Sequence, residues 1–432
     1  MIEPGLGRAT LFVLLGRLGG NLGFFGAALV LARALGPSDR GDVAFITTTA
    51  LVFGVVSAAG LREAGTVFLA RHPARRRELV GNQLVFGMVF ALAAAVVVCS
   101  VLALFPQLRP ANVSRDDVLI LGAGVLAIAL ETAGFAMTLG LALFRRLAAA
   151  QTAYAWTYAA ALALAWQLWE LTVTRAVIIW VAAQAFGGLI LVAGVLRRVA
   201  LGRPSLSLFR EEWRFGIRAW VGSLSTFLAF RLDQMIIGVI STDTALGIYA
   251  VAVNASEVEL YVPQSVANGL VPIIARTTAE ERAQRTLRVF RLVLLAVLAT
   301  GAAAFATGPY LLPLVFGHAF KPSIGPFLWL VAGGVGFVAD SIFSAALVAS
   351  DAPGKSSLGP FAALAVGTVL DFALIPSHGA TGAAVAAAAG FFAGGLVAGL
   401  AFAHAYPVRW RLLLPGRDDV SLIAAALRRT RA

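Results

Sequence analysis

Polar side chains recur at helical spacing inside an otherwise apolar stretch of this sequence, residues 245–275. Steps of three and four residues place them on one face of a helix: Asn254, Glu257, Tyr261, Gln264 and Asn268. An ionised side chain inside a membrane helix costs about 2.5–3.5 kcal/mol, so its presence indicates a function. Two interpretations remain open: the face lines a water-filled cavity, or it forms a hydrogen-bonded seam with neighbouring helices.

Arginines in two other apolar stretches have the chemistry to bind a phosphate group. In the first stretch Arg17 and Asn21 are one turn apart on a shared face, and in a later one Arg231 precedes Gln234. A guanidinium holds a diphosphate through paired hydrogen bonds. Two alternatives stay open: Arg17 extends to the cytoplasmic headgroups, and Arg231 is a structural hydrogen-bonding residue. These four residues and the polar face described above are the predicted substrate-binding residues.

Acidic side chains in apolar stretches are the predicted sites for a coupling cation, H⁺ or Na⁺. The candidates are Glu131, Asp233 and Asp340. The first and last of these share a helical face with a hydroxyl residue, Thr138 and Ser344 respectively. The alternative is that they only neutralise a buried charge. At 100° per residue Asp233 and Arg231 stand at opposite edges of a polar arc about 160° wide, so we expect them not to pair.

The sequence predicts neither a metal centre nor a catalytic site. Cys99 is the only cysteine, and the four histidines lie far apart without the spacing of metal ligands. The pair Asp116-Asp117 lies in a loop of about a dozen residues, which is too short for a glycosyltransferase site, and is a solvated pair or a helix start. We therefore expect no cofactor and no enzymatic activity.

The elements that position these residues are membrane-spanning helices. The chain of 432 residues is 59% hydrophobic and 13% charged, whereas soluble domains carry about 25% charged residues. A bilayer core needs about 20 apolar residues per helix. Twelve spans are predicted near 10–32, 42–61, 80–105, 118–144, 150–169, 176–196, 216–240, 245–275, 287–316, 325–350, 356–376 and 380–406. The predicted class is therefore an all-α polytopic membrane protein.

The distribution of basic residues orients these spans. Of the 34 lysines and arginines, 25 fall on the side that holds both termini, 6 on the other side and 3 within spans. Basic residues favour the cytoplasm, so both termini are predicted to be cytoplasmic, in the inner (cytoplasmic) membrane. Because the arginines lie in short segments between spans, topology explains the net charge of +12, and no nucleic-acid partner is expected.

An internal repeat is suggested by two similar turns about 206 residues apart. LARALGPSDRGDVAFITTTA at 31–50 resembles IIGVISTDTALGIYAVAVNA at 236–255, with Gly41 matching Gly247. The predicted halves are six-helix lobes, 1–205 and 206–410, related by a parallel pseudo-two-fold repeat and joined by the basic linker 197–215. The remaining segment, 411–432, is predicted to be a basic amphipathic helix on the inner leaflet, with a disordered tail as the alternative.

Four patches of sequence resemble the polysaccharide flippases of the multidrug/oligosaccharidyl-lipid/polysaccharide exporter superfamily. They are LARALGPSDRGDVAF at 31–45, RFGIRAWVGSLSTFLAFRLDQMIIG at 214–238 with ALGIYAVA at 245–252, VPQSVANGLVPIIAR at 262–276, and LIPSHGATGAAVAAAAG at 374–390. Together they cover nearly the whole chain in the order of that family. Asp371 departs from the pattern, since asparagine is more frequent there.

This resemblance implies a V-shaped, two-lobed transporter that flips a polyprenyl-diphosphate-linked oligosaccharide to the outer leaflet by alternating access. The implied partners are the lipid-linked glycan, membrane lipids, a coupling cation and glycan-assembly enzymes. Two other functions compete with this one. A cation-coupled multidrug antiporter of the same fold would use the acidic candidates, and a membrane-embedded glycan polymerase is disfavoured by the short outer loops.

Overall fold

The computed structural model describes residues 4–275, 277–349 and 353–406, without the side chains of 4–15, 17, 18, 272 and 353. Within these ranges the regular structure is helical, and no strand is found there. The predicted all-α class is therefore confirmed. The predicted amphipathic tail at 411–432 and the side chain of Arg17 lie outside the described part of the chain.

Twelve α-helices are formed by the described residues, with short 3₁₀ turns between some of them. They are α1 Pro4–Ser57, α2 Leu61–Arg71, α3 Arg76–Leu104, α4 Arg115–Gly140, α5 Phe144–Leu168, α6 Val173–Leu196, α7 Leu206–Ala229, α8 Leu232–Ile240, α9 Asp243–Ile274, α10 Ala279–Phe316, α11 Ile324–Val348 and α12 Leu358–Ala405. The start of α4 is fixed by Ser114 and Asp117, whose side chains and backbone amides bond reciprocally, as expected for a capping box. The predicted helix start at Asp116-Asp117 is thus confirmed.

The two longest helices are each broken by a kink at a glycine. A straight helix of 54 residues would be about 80 Å long, far more than a bilayer core of about 30 Å. In α1 the break is at Gly36, with φ of 71°, directly before Pro37. In α12 it is at Gly379, with φ of 52°. Both φ values lie in the left-handed region that glycine adopts without strain. Each kink separates two of the predicted spans.

The predicted span 216–240 is a bent pair of helices, so the prediction of one continuous helix there is wrong. The axes of α7 and α8 meet at 50°, and the two residues at the bend, Phe230 and Arg231, form a turn. The rotation of 100° per residue holds only within a continuous helix, and it is interrupted at this turn. A helical wheel therefore cannot compare the directions of side chains before and after the turn. The expected separation of Arg231 from Asp233 therefore has no basis in the observed geometry.

The length and composition of the helices confirm a multi-pass membrane protein. Eight stretches of the described chain are long and apolar enough to cross a bilayer, or nine if the bent pair α7–α8 is one span. Two of them, Gly19–Ser57 and Gly354–Ala405, are 39 and 52 residues long, and each contains one of the kinks. The remaining predicted span, 150–169, coincides with α5, which is not among the eight. Every predicted span therefore falls on a helix.

The described helices form two compact units, each with an apolar cluster of its own. Unit 1 comprises Met1–Leu224 and Gln234–Val251, and unit 2 comprises Ser225–Asp233 and Ala252–Ala432. The predicted boundary between lobes, at 205/206, stays a prediction.

Unit 1 is held together by close contacts between helices that carry small residues. Along α1, three glycines at helical spacing meet three residues of α5 that are also one turn apart: Gly16 with Ala148, Gly19 with Thr152, and Gly23 with Ala155. A Cβ atom on any of them would come within 3 Å of its partner. Such small-residue seams let membrane helices pack backbone to backbone. The same unit places α4 against α1 and α6.

In unit 2, glycines of the last helix make the same kind of close helix contact. In α12, Gly395 lies so close to the backbone carbonyl of Gly336 in α11 that an added Cβ would overlap the oxygen. Gly390 and Gly394 face Ala363 and Gly359 across the kink of α12. The glycines of the last span therefore bring helices into close contact. A cluster of phenylalanines, including Phe343 and Phe402 stacked at 4.9 Å, fills the adjoining core.

The two turns proposed as repeats touch each other within unit 1. A Cβ on Gly41 would overlap the carbonyl oxygen of Asp243, and a Cβ on Gly247 would overlap that of Pro37. Residues 37 and 243 are separated by the same number of positions as residues 41 and 247. Reciprocal contacts of this kind arise where equivalent segments meet about a two-fold axis. The duplication itself stays a prediction.

Candidate functional site

In unit 2, the turn between α7 and α8 brings a guanidinium against the polar face of α9. The Nη1 atom of Arg231 donates to Oε1 of Glu257 at 2.5 Å and to the backbone carbonyl of Phe230 at 3.1 Å. The two charged side chains are 24% and 20% exposed. Because the chain leaves helical geometry at Phe230 and Arg231, the guanidinium turns toward α9. Sequence spacing placed both residues in the site but did not predict this pair.

This ion pair lets two half-buried charges neutralise each other. A buried charge without a partner is unfavourable, and pairing it with hydrogen bonds lowers the cost. A guanidinium has five N–H donors in a planar fork, and the bonds to Glu257 and Phe230 use the same nitrogen. The arrangement therefore holds a guanidinium in a fixed orientation beside the polar face of α9.

The other members of the predicted polar face lie along the same helix. Asn254, Tyr261 and Gln264 are half-buried and Asn268 is exposed. The helix α9 runs unbroken through Pro263, so these residues keep the helical spacing read from the sequence. The face is thus continuous over about four turns of α9, with the Arg231–Glu257 pair near its beginning.

A second site of unit 2 contains two buried carboxylates. Asp233 in α8 and Asp371 in α12 are 7% and 3% exposed. They line one cavity, in which about 10 Å³ is open to the centre of a water molecule. That is close to the minimum for one water, and a bare monovalent cation is of similar size. The complete lining is Leu228, Ala229, Leu232, Asp233, Ala363, Leu364, Gly367, Thr368, Asp371, Ala387 and Phe391.

Asp340, another predicted ion-coupling residue, lies in a tight helix contact of unit 2. It is 6% exposed and accepts a hydrogen bond from Ser344 at 3.2 Å, as their four-residue spacing predicts. A Cβ on Gly359 of α12 would overlap its Oδ1 atom. No ion pair between Asp340 and an arginine occurs among the described residues. The geometry suits a structural contact between α11 and α12.

The remaining predicted residues belong to unit 1. Gln234 is buried and accepts a hydrogen bond from Thr48 at 3.0 Å, which ties α8 to α1. Asn21 lies half-buried on α1, and Glu131 is half-buried on α4. The backbone of Glu131 packs against Gly188 of α6, where a Cβ would be 2.8 Å from its nitrogen. Arg231 and Gln234, which the sequence grouped together, are therefore in different units.

A family model for "Polysaccharide biosynthesis protein" matches residues 30–325, more than half of the chain. The chain belongs to this family. The family resemblance read from the four sequence patches is thereby confirmed. The match includes Arg231, Glu257 and Asp233, and it ends before Asp340 and Asp371. No curated protein sequence matches the chain.

Solved structures share the fold of this polysaccharide biosynthesis protein at low sequence identity. Lipid II flippase MurJ in an inward closed conformation has a TM-score of 0.75 at 12% identity, covering 90% of this chain and 86% of that one. An inward-facing multidrug resistance MATE family transporter of the MOP superfamily has a TM-score of 0.69 at 15% identity, covering 90% and 96%. A MOP superfamily transporter from Pyrococcus furiosus reaches 0.63 at 14%, covering 91% and 93%. These likenesses establish the fold.

Two further buried acidic residues of this family member were missed by sequence reasoning. Glu212 is fully buried in unit 1 and accepts hydrogen bonds from Asn82 at 2.7 Å and Gln83 at 3.1 Å. It was missed because it lies in the basic segment 197–215, where a charged residue is expected to be solvated. In the structure α7 begins at Leu206 and carries Glu212 into a helix contact.

Asp42 is the second missed residue. It is 0% exposed and lies beside Asn112 and Asp243 in unit 1. Its signal in the sequence is its position directly after Gly41, one of the two glycines at the contact of the repeated turns.

Proposed function

We propose that this protein flips a polyprenyl-diphosphate-linked oligosaccharide from the cytoplasmic to the outer leaflet of the cytoplasmic membrane by alternating access. The observation that carries the proposal is the family match over residues 30–325. The fold likeness to a protein named a lipid II flippase supports the proposal. The protein acts as a carrier and performs no covalent chemistry.

Arg231 is the residue that we assign to the diphosphate. Its guanidinium lies beside a polar helix face, and such a group binds phosphate through two parallel hydrogen bonds. In the absence of substrate Glu257 neutralises it. As the diphosphate binds, its oxygens share or replace the carboxylate, while Asn254, Tyr261 and Gln264 offer hydrogen bonds to sugar hydroxyls. Arg17 and Asn21 of α1 stay predicted substrate-binding residues.

A coupling cation is proposed to bind between Asp233 and Asp371. Two carboxylates that line a cavity of one-water size repel each other unless a proton or a small cation lies between them. Binding there would lower the cost of keeping both groups buried in unit 2. Glu131 and Asp340 are retained as weaker coupling candidates because each has a structural neighbour that accounts for its position.

The alternative is a cation-coupled multidrug antiporter of the same fold. It is favoured by the likeness to MATE transporters and by the buried acidic residues. The observation that favours the flippase is the hydrogen bond that joins Arg231 to the polar face of α9, because a guanidinium there supplies a phosphate-binding group that a carrier of cationic drugs does not need. Glycan-assembly enzymes are the proposed protein partners, and both termini are proposed to be cytoplasmic.

The proposal is tested in cells by depletion of the protein. We expect lipid-linked oligosaccharide to accumulate on the cytoplasmic side, where a membrane-impermeant glycosidase reaches it in inside-out vesicles but not in spheroplasts. Expression of the wild-type chain should restore access from outside. Unchanged exposure of the glycan at the outer leaflet after depletion, combined with loss of resistance to cationic drugs, would instead support the antiporter.

A further inference from the structure

A groove on unit 1 lies apart from every residue used above. It runs between α5 and α6, has a volume of about 440 Å³ and is open on one side. Its walls are made of small or apolar residues, with two arginines at the same end, one in α5 and one directly after α6. The lining is Arg146, Ala149, Ala150, Ala153, Ile190, Ala193, Gly194 and Arg197.

The two arginines lie at the end where α5 begins and α6 finishes. Nη1 of Arg146 donates to the carbonyl of Gly194 at 2.7 Å, which fixes its guanidinium at the mouth of the groove. Arg197 is the first residue after α6 and is exposed. Neither takes part in an ion pair in the described part of the chain. The predicted topology places this end at the cytoplasmic face, so two positive charges lie at headgroup level.

The apolar part of the groove extends from the arginines into the bilayer. Ala153 and Ile190 are each seven residues from the arginine of their helix, which corresponds to about 10 Å of helix. Three of the wall alanines, at 149, 153 and 193, are exposed. Because alanine side chains are short, they leave a channel that larger side chains would fill. The groove thus matches a molecule with two parts. Its arginine end suits a phosphate-bearing headgroup, and its apolar part suits a hydrocarbon chain.

We propose that this groove binds one anionic phospholipid of the inner leaflet. The phosphate lies between Arg146 and Arg197, and one acyl chain runs past Ala153. Basic pockets between membrane helices at the cytoplasmic side bind such headgroups. The start of α5 adds to the attraction, because its N-cap, Leu143, supplies no side-chain acceptor and the first amides of a helix favour anions.

The groove favours a membrane phospholipid over the diphosphate of the transported lipid for a chemical reason. The residues assigned to transport in unit 2 combine a guanidinium with a run of hydrogen-bonding side chains, as a glycan requires. The groove on unit 1 has only arginines and apolar walls, so nothing in it would recognise a sugar. The inference does not depend on the proposed function, since a drug antiporter could hold the same lipid.

The test compares lipid retention by the purified full-length chain in native mass spectrometry. The protein is reconstituted in nanodiscs of phosphatidylglycerol and phosphatidylcholine and released with its bound lipid. The test variant is Arg146→Gln/Arg197→Gln, and the matched control is Arg145→Gln/Arg198→Gln, which removes the same charge from the exposed residues next in sequence. A second test variant, Ala153→Leu, keeps both charges and narrows the apolar part.

We expect wild type and the control to retain one phosphatidylglycerol more tightly than phosphatidylcholine. Replacing both arginines should weaken phosphatidylglycerol binding about 30-fold, at roughly fivefold for each arginine near the surface. Ala153→Leu should also reduce the amount of phosphatidylglycerol retained. Equal retention by all variants would overturn the proposal, and so would equal binding of both phospholipids. Displacement of the phospholipid by an equimolar polyprenyl diphosphate would assign the groove to the transported lipid instead and also overturn it.

Discussion

Arg231 and Glu257 depend on each other for their position inside the membrane. The guanidinium and the carboxylate are 2.5 Å apart, and each would lose its hydrogen-bonded counter-charge if the other were removed. Breaking a buried pair is costlier than replacing both partners, because it leaves one charge uncompensated. Comparing a single with a double substitution of this pair can therefore distinguish a structural role from a role in binding the diphosphate.

Removing Glu257 alone should destabilise the protein, and removing both partners should not. We expect Glu257→Gln to cost about 3 kcal/mol because Arg231 loses its counter-charge. The double variant Arg231→Gln/Glu257→Gln should regain most of this stability, measured as thermal unfolding in detergent, yet remain defective in transport. Recovery of transport together with stability would show that the pair has no part in substrate binding.

Asp371 and Asp233 should act as one cation site. Asp371→Asn should abolish the dependence of transport on the H⁺ or Na⁺ gradient, because one carboxylate no longer needs a cation between it and its neighbour. The measurement is transport into vesicles with and without an imposed gradient. Asp340→Asn is the control, since its carboxylate already contacts Ser344, and should leave the gradient dependence intact. The reverse pattern would place the coupling site in α11.

At the scale of single residues, the sequence predicted which charged residues lie in apolar stretches. It did not predict which of them contact each other. Glu257 and Arg231 were both predicted as site residues because charge is rare in apolar stretches. Their partnership depends on the turn at Phe230, which breaks the helical spacing on which the prediction relied. Glu212 was not predicted because its burial depends on contacts with Asn82 and Gln83, which are distant in the chain.

At the scale of elements, the two similar turns make a close backbone contact in unit 1. Gly41 and Gly247 each face a backbone carbonyl at a distance that no Cβ could occupy. Backbone atoms cannot rotate away as a side chain can. The helices that meet at these turns must therefore separate if either glycine acquires a side chain.

Substitution at this contact should be more damaging than at an open glycine. Gly41→Ala is expected to cost about 3 kcal/mol by overpacking, seen as a lower midpoint of thermal unfolding in detergent. Gly87→Ala in α3 is the control, because nothing lies within 4 Å of an added Cβ there, and alanine favours the helix. Equal midpoints for the two variants would mean that the turns do not touch as described.

The helices themselves were largely predictable from apolar length. Each predicted span falls on helical residues, although a bend divides 216–240 into two helices. About 20 apolar residues in succession have few alternatives to a helix that crosses a bilayer. The kink at Gly36 falls in a predicted turn between spans, where Gly and Pro follow one another. The bend between α7 and α8 was not predicted, since AFRLDQ at 229–234 contains neither glycine nor proline.

At the scale of the whole molecule, the orientation in the membrane rests on the distribution of arginines. On a Cys99→Ser background, single cysteines at Arg77 and Arg203 should be labelled by an impermeant maleimide only in inside-out vesicles. A cysteine at Asn112 should be labelled only in spheroplasts, because the loop before α4 is predicted to lie outside. Labelling of all three from one side would contradict the predicted topology.

Family and membrane character were accessible from the sequence because they depend on patterns spread over the whole chain. The four patches and the asymmetric distribution of basic residues each depend on many positions, none of which is decisive alone. The site is harder to predict because it depends on single contacts, such as that between Arg231 and Glu257.

The central claim is that this chain moves a lipid-linked glycan through a site that includes Arg231. The most direct measurement is a flipping assay in liposomes that contain the purified protein and a fluorescent polyprenyl-diphosphate oligosaccharide, quenched from outside by an impermeant reagent. We expect wild type to expose the inner pool, and Arg231→Gln/Glu257→Gln, though folded, to expose it at least about tenfold more slowly, since a charged phosphate contact is worth about 1.5–3 kcal/mol. Flipping at the rate of protein-free liposomes by the folded wild-type chain would contradict the account.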